Sequence, residues 1–513
     1  MATGGYMLLL ILLSSLLPGV AIFFLREQQF ALRTALNLGG ATLKFLLIIA
    51  LLVGVYRDGK TYSLSVNLLP GIDLVLAADA LSLLFATLSA VLWLVTTIYA
   101  IGYLEDSPNR SRFFGFFSLC VSATVGIAFS GNLITLLIFY EILTLATWPL
   151  VVHRGTAESF RAGRIYLAYT LLGGAVLLGA VVWLTLLAGS EPFVAGGYLR
   201  HLSADQGPVL IMIFAMLMAG FGVKAALLPL HSWLPRAMVA PAPVSALLHA
   251  VAVVKAGAFG IVRVLNDVYG VELAADLGVT LPLLLLAIMT IVYGSVRAVF
   301  ADDLKQRLAF STVSQVSYII LGVALAGPIG AVGGLVHLVH QGVMKITLFF
   351  CAGNFAETLG IHRVDEMRGV GRRMPWTMTA FTLAALGMIG IPPLAGFISK
   401  WYLGLGALEA GMAWVTGVLV VSSLLNALYF LPPILRGWFS RREGPWPDER
   451  HGGRRLETHW MLLLPTVTVA AMALGMGLLA SLTISPLYWV TFIVEFEYGY
   501  DHIWRAIFEW ETP

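Results

Sequence analysis

Four lysines stand inside otherwise apolar segments of this chain: Lys224, Lys255, Lys345 and Lys400. A charge at the centre of a bilayer costs roughly 2.5–3.5 kcal/mol on insertion scales. Side chains kept at that cost do chemistry, and the chemistry open to lysine is proton exchange. Arginine is effectively always protonated, whereas a desolvated lysine can lose its proton. Glu141, in Phe139-Tyr-Glu141-Ile-Leu, is the one carboxylate deep within an apolar segment. Alone it would be neutral or paired. A lysine from another segment is its natural counter-ion, although a single structural ion pair would leave the other lysines unexplained. Together these five residues outline a path for protons or other cations across a membrane.

The polar neighbours add to that path. His337, Gln341 and Lys345 recur at i, i+4 and i+8, so they stack along one helix face over about two turns. His340 sits beside His337 at i+3. A histidine near its reference pKa of roughly 6.5 exchanges protons at physiological pH. A metal site built from His337, His340 and Gln341 is the competing reading, weakened by the lack of a carboxylate in that segment. Pro229 removes a helix hydrogen bond just after Lys224. His231, seven residues beyond Lys224, shares its face if the helix continues. His249 and Lys255 are six apart and face different neighbours. Asp302 and Asp303 read as surface acids pairing with Lys305 or Arg307. Asp73 and Asp79 read as acids of a solvated outer loop.

The elements that hold these residues are membrane helices. Of 513 residues, 59% are hydrophobic and 12% charged, against about 25% charged in a soluble domain. A span needs about 20 apolar residues. By that measure the chain predicts an all-α polytopic membrane protein of about 14 spans: 6–25, 35–56, 77–103, 113–129, 132–152, 165–188, 208–229, 240–265, 279–300, 307–326, 330–354, 376–403, 411–435 and 458–482. The start lacks basic residues before its apolar run and reads as the first helix rather than a signal peptide. With the N-terminus outside, 22 of the 31 Lys and Arg fall on the cytoplasmic side and five on the other. The positive-inside rule then predicts a multi-pass protein of the inner (cytoplasmic) membrane with both termini on the outer face. The remainder is the four lysines of the opening sentence. Lys44 is counted as cytoplasmic, reaching the surface by snorkelling.

Other functions lack their residues. Cys120 and Cys351 are far apart and no Cys-x-x-Cys occurs, which excludes a protein-held iron–sulfur cluster or a Cys-rich zinc site. No phosphate loop or dinucleotide fingerprint is present, so no bound cofactor and no nucleic acid are expected. The basic, Pro- and Gly-containing stretch 437–457 reads as a solvated linker, and 483–513 as an interfacial tail or partner contact.

Two proline-interrupted spans, 7 and 12, each carry a lysine and lie five spans apart. Five is odd, so spans 4–8 (113–266) and 9–13 (279–436) read as inverted repeats following an N-terminal unit (1–112) and followed by span 14 (458–482). At these residues the chain resembles the antiporter-like subunits of respiratory complex I, membrane-bound hydrogenases and Mrp-type sodium/proton antiporters. The resemblance covers about residues 75–440. It is carried by the Glu141 helix, Phe221-Gly-Val-Lys, Ala242-Pro-Val-Ser-Ala-Leu-Leu-His, Asp303-Leu-Lys-Gln-Arg-Leu-Ala-Phe-Ser, the His337–Lys345 stripe and Gly390-Ile-Pro-Pro-Leu-Ala-Gly-Phe-Ile-Ser-Lys400. It implies that Glu141 and Lys224 form an ion pair, that Lys255 connects two half-channels, that His337 and Lys345 belong to the second, and that Lys400 ends it. It further implies partner membrane subunits, with a sodium gradient or redox chemistry as the driving force. Lys400, where relatives often have glutamate, leans towards a D-like member of the Mrp-type branch. Gln341 stands where relatives often have a second histidine, and Gln carries no proton at neutral pH. A membrane scaffold for a soluble hydrogenase or inorganic-carbon partner is the alternative function.

Overall fold

The computed structural model describes residues 4–58, 60–104, 107–202, 204–450 and 456–499. Each long apolar run forms a helix, because in a bilayer every backbone polar group must be satisfied within the segment. The first five are α1 (Gly5–Phe23), α2 (Phe30–Asp58), α3 (Ala80–Tyr103), α4 (Arg110–Ala128) and α5 (Leu133–Val151). Then come α6 (Ala157–Ala188), α7 (Gly207–Ala225), the short α8 (Trp233–Arg236), α9 (Ala242–Ala250), α10 (Val253–Arg263) and the short α11 (Val271–Asp276). The second half holds α12 (Thr280–Phe300), α13 (Leu304–Ala324), α14 (Pro328–Leu359), the short α15 (Val370–Arg373), α16 (Pro375–Ile389), α17 (Ala395–Glu409) and α18 (Ala413–Phe439). α19 (Trp460–Leu478) and the short α20 (Pro486–Phe492) complete it. Among the described residues thirteen stretches are long and apolar enough to cross a membrane, the broken pair α16–α17 makes a fourteenth, and all fourteen coincide with the predicted spans. The chain is an all-α polytopic membrane protein.

Helix starts are set by local chemistry. Asn132 caps α5 by accepting from Thr135 N at 2.8 Å, and Asp303 caps α13 by accepting from Gln306 N at 2.8 Å. Asp79 and Ser82 form a reciprocal capping box on α3. α9–α10, α13 and α14 are enclosed by the other helices, and these three central spans carry most of the predicted polar residues.

Several expectations need correcting. Residues 62–78 form an antiparallel hairpin, β1 (Tyr62–Leu69) and β2 (Ile72–Ala78), turning at Pro70-Gly71. Asp79 lies in no solvated loop: Arg263 contacts it at 2.7 Å and also holds Asp267 at 2.8 Å. Asp303 and Asp302 lie within electrostatic reach of Lys305 and Arg307 but form no direct ion pair with them. Asp302 faces Arg363 at 3.8 Å, while Lys305 donates to Ala240 O and Arg307 to Ala301 O. Most of residues 441–450 are exposed, as a solvated linker would be, but the stretch is tied to the bundle at several points. Arg442 stacks on Trp446 at 4.2 Å, Arg450 meets Glu357 at 2.7 Å, and Glu457 caps the start of α16 through Thr377. Residues 451–455, with Arg454 and Arg455 among them, lie outside the described residues. Of the predicted tail, α20 packs on the bundle, with Trp489 Nε1 donating to Ala80 O at 2.9 Å, and residues 500–513 lie outside the described set.

Candidate functional site

Lys224 occupies the last turn of α7, which ends at Ala226 in the left-handed region (φ 57°). The break frees carbonyls, and Trp233 Nε1 takes one of them, Val223 O, at 2.7 Å. Lys224 is fully buried. Its ammonium donates to Tyr140 O and sits 3.3 Å from the Tyr140 ring centroid. Glu141, next in sequence, lies within electrostatic reach of Lys224. The implied ion pair is nonetheless open: Lys224 Nζ is engaged by Tyr140, and Glu141 Oε1 has no hydrogen-bond partner among the described residues. Close approach of α6 confines the carboxylate, since a Cβ on Gly174 would lie 2.8 Å from Glu141 Cδ. His231 does not share the Lys224 face, because α7 stops before it. It lies in the connection to α8, on the wall of a polar cavity of about 1050 Å³ that also meets Arg154, Arg297 and Lys305.

The eighth span is broken too. α9 ends at Ala250 and α10 starts at Val253, which puts His249 just before the break and Lys255 just after it. Both are fully buried, and neither the two His249 nitrogens nor Lys255 Nζ has a hydrogen-bond partner among the described residues. Gly257 brings α10 against the broken end of α7: a Cβ there would lie 2.7 Å from Phe221 O.

α14 is continuous and presents the predicted stripe. His337 Nδ1 is 2.8 Å from Ser399 Oγ on α17. His337 lies within electrostatic reach of both Lys255 and Lys400. Lys345 Nζ donates to Ser311 Oγ at 2.6 Å and Leu308 O at 3.3 Å on α13, within reach of Lys255. His249 lies within reach of Lys345 and of Lys305 at the polar cavity. His340 and Gln341 are buried with no partner on any ring or amide atom among the described residues. Among the described residues no three His, Cys, Asp or Glu side chains gather as a metal site.

Lys400 lies on α17 but folds back over the break at 390–394. Its ammonium donates to Ile389 O at 2.8 Å and Met388 O at 3.1 Å, the carbonyls freed where α16 ends, and to Ser423 Oγ at 2.9 Å. Gly390 makes this possible. Its φ of 96° excludes most side chains, and a Cβ would lie 2.8 Å from Lys400 Cδ.

The structure thus brings the buried Lys255, His337 and Lys345 together with a half-buried Lys400, with Glu141 and Lys224 beside the α7 end against which α10 packs. Sequence reasoning missed Ser399, Ser311, Tyr429 and Asn426, which hydrogen-bond within this group. Ser422, Asn426 and Tyr429 recur at i, i+4 and i+7 in an apolar span, a polar stripe the sequence carries. Lys44 does not snorkel to the surface but is fully buried on α2, donating to Ser15 Oγ beside the Trp93 ring.

A family model described as NADH:quinone oxidoreductase/Mrp antiporter, TM, matches residues 130–426. A second, described as NADH-Ubiquinone oxidoreductase (complex I), chain 5 N-terminus, matches residues 70–114. NADH-quinone oxidoreductase subunit N of Desulforudis audaxviator is 38% identical over 80% of this chain and 82% of its own. Hydrogenase-4 component B of Escherichia coli is 34% identical over 64% of this chain, which spans only 50% of that relative. A chain of the Mrp complex from Dietzia sp. shares the fold with a TM-score of 0.84 at 24% identity, covering 97% of this chain and 98% of that one.

Proposed function

The chain belongs to the family of membrane subunits shared by NADH:quinone oxidoreductases and Mrp antiporters, and on that footing we propose that it translocates protons through Glu141, Lys224, Lys255, His337, Lys345 and Lys400. The observation that carries this reading is the placing of lysines at helix breaks. Lys224 ends α7, Lys255 follows the gap between α9 and α10, and Lys400 caps the freed carbonyls of α16. Discontinuous helices supply backbone carbonyls for a cation at membrane depth, where charge is otherwise expelled. Neutral acceptors rather than fixed acids hold the ammonium groups of Lys224, Lys345 and Lys400, so these three are held but not locked.

Protons enter from the Arg-rich face by the polar cavity that reaches Lys305 and His231, and pass by His249 to the central group. The excess of Lys and Arg on that face supports reading it as cytoplasmic, in a cytoplasmic membrane with both termini on the outer face. Opening and closing of the Glu141–Lys224 pair gates the first half: pairing favours the ammonium, and separation favours release of its proton. Glu141 is half-buried beside exposed Ile142 and Leu145 on the outer side of α5. A carboxylate there needs cover, which argues for a partner subunit against α5. Partner subunits supply the driving force, as a sodium gradient or as redox chemistry. Lys224→Ala or Glu141→Ala in membrane vesicles tests the reading. Loss of coupled proton flux with the complex still assembled is expected, and unchanged flux would sink it.

A further inference from the structure

Between Lys345 and Lys400 the His340–Gln341 face offers no hydrogen bond to either lysine. A different route is connected throughout. Lys345 Nζ donates to Ser311 Oγ at 2.6 Å, and Ser311 Oγ lies 2.9 Å from Tyr429 Oη. Tyr429 Oη donates to Asn426 Oδ1 at 2.8 Å. Asn426 Nδ2 donates to Met388 O at 3.2 Å, and Lys400 Nζ donates to that same carbonyl at 3.1 Å. Ser311, Asn426 and Tyr429 are all fully buried.

We propose that Ser311, Tyr429 and Asn426 are positioning residues that couple the protonation of Lys345 to the hold on Lys400. This inference rests on the lysine path described above. A protonated Lys345 only donates, so Ser311 accepts from it and donates to Tyr429, which donates to Asn426. Hydrogen bonds in such a chain polarise one another. Asn426 then binds Met388 O more strongly and competes with Lys400 for it. A neutral Lys345 offers a lone pair instead. Ser311 turns to donate to it, Tyr429 turns to donate to Ser311, and Asn426 Oδ1 is left with Ser295 Oγ at 3.4 Å. Met388 O, which accepts from Asn426 and Lys400 alike, is then held more strongly by Lys400. No proton travels along this chain; its hydroxyls reorient, and the two lysines are held in turn.

Other groups face the two ends. Lys345 lies near the Phe430 ring, with Lys255 and His249 in electrostatic reach. Lys400 faces Ile389 O, Ser423 and the Tyr318 ring, with His337 in reach. Arg307 Nη1 holds the Tyr429 carbonyl at 2.9 Å.

The test measures proton flux against pH in inverted vesicles carrying the full chain with its native partner subunits. Tyr429→Phe removes one hydroxyl and keeps the ring. It should lower flux about tenfold, the size of one lost hydrogen bond, and displace the pH profile. Ser311→Ala should do the same, Ser311→Thr should restore the wild-type profile, and the Ser311→Ala/Tyr429→Phe double variant should be no worse than either single one. Tyr269→Phe serves as the control, since that buried hydroxyl meets only Leu210 O, at 2.7 Å, among the described residues. The coupling is overturned if Tyr429→Phe keeps both flux and profile, if it loses flux with the profile unmoved as the control would, or if the double variant is additive. Lys345→Ala separates the two ideas. Its failure to reduce flux would overturn the lysine path itself, whereas loss in Lys345→Ala with an unaffected Tyr429→Phe would overturn the coupling alone.

Discussion

The neighbours that hold the lysines differ, and they tell a working charge from a structural one. Lys224, Lys345 and Lys400 rest on carbonyls and hydroxyls beside breaks or polar stripes, whereas Lys44 rests on one serine and an indole away from that group. Replacing a buried charge by an apolar side chain of similar length is often neutral or stabilising. Lys44→Met should therefore leave proton flux unchanged and the melting temperature equal or higher, as flux assays and thermal unfolding in detergent would read. Abolished flux would show a second path through α2. Asp79 gives a pH-dependent case. Burial alone would raise its pKa, but Arg263 beside it and hydrogen bonds from Arg263 and Ser82 hold it below the ordinary carboxylate value. A depressed native pKa contributes stability above the unfolded value, near pH 4, and loses it as pH falls through the native value. Asp79→Asn should flatten the acid limb of the unfolding curve; a limb identical to wild type would exclude this pair as its source.

Helix breaks position the lysines, and the breaks were unevenly legible. Pro229 and Gly390-Ile-Pro-Pro announce two of them, because proline cannot donate and glycine tolerates positive φ. The break between α9 and α10 falls in Ala250-Val-Ala-Val-Val, with neither residue, and only packing against α14 and α7 reveals it. The hairpin did carry a signal, alternating Tyr62, Leu64 and Val66 before Pro70-Gly71, but span counting passes over it. The central lysines and histidines were legible because charge in an apolar run is rare. Asn426 and Tyr429 were half-legible, as a stripe with Ser422 at i, i+4 and i+7, but Ser311 stands on another helix and only the fold brings the three together. Gly257 gives an element-scale prediction. Its absent Cβ would lie 2.8 Å from Lys224 C, and overpacking costs about 1–3 kcal/mol. Gly257→Ala should lower both the melting temperature and flux by pushing α10 off α7; normal values for both would mean that the contact is not needed.

At the scale of the molecule, fourteen spans enclose a polar group that a lone soluble partner would not require. A scaffold needs the apolar shell and the packed loops of the Arg-rich face, but has no use for mobile charge inside. Lysine and arginine carry the same charge and differ in whether the proton leaves. The most direct test is therefore Lys255→Arg, with proton flux measured in vesicles where the variant complex is assembled to wild-type levels. Lys255 is fully buried and has no hydrogen-bond partner among the described residues, so only its charge and its proton are at issue. Flux falling to background despite the retained charge is the predicted result; wild-type flux would contradict a path that runs through a deprotonating Lys255.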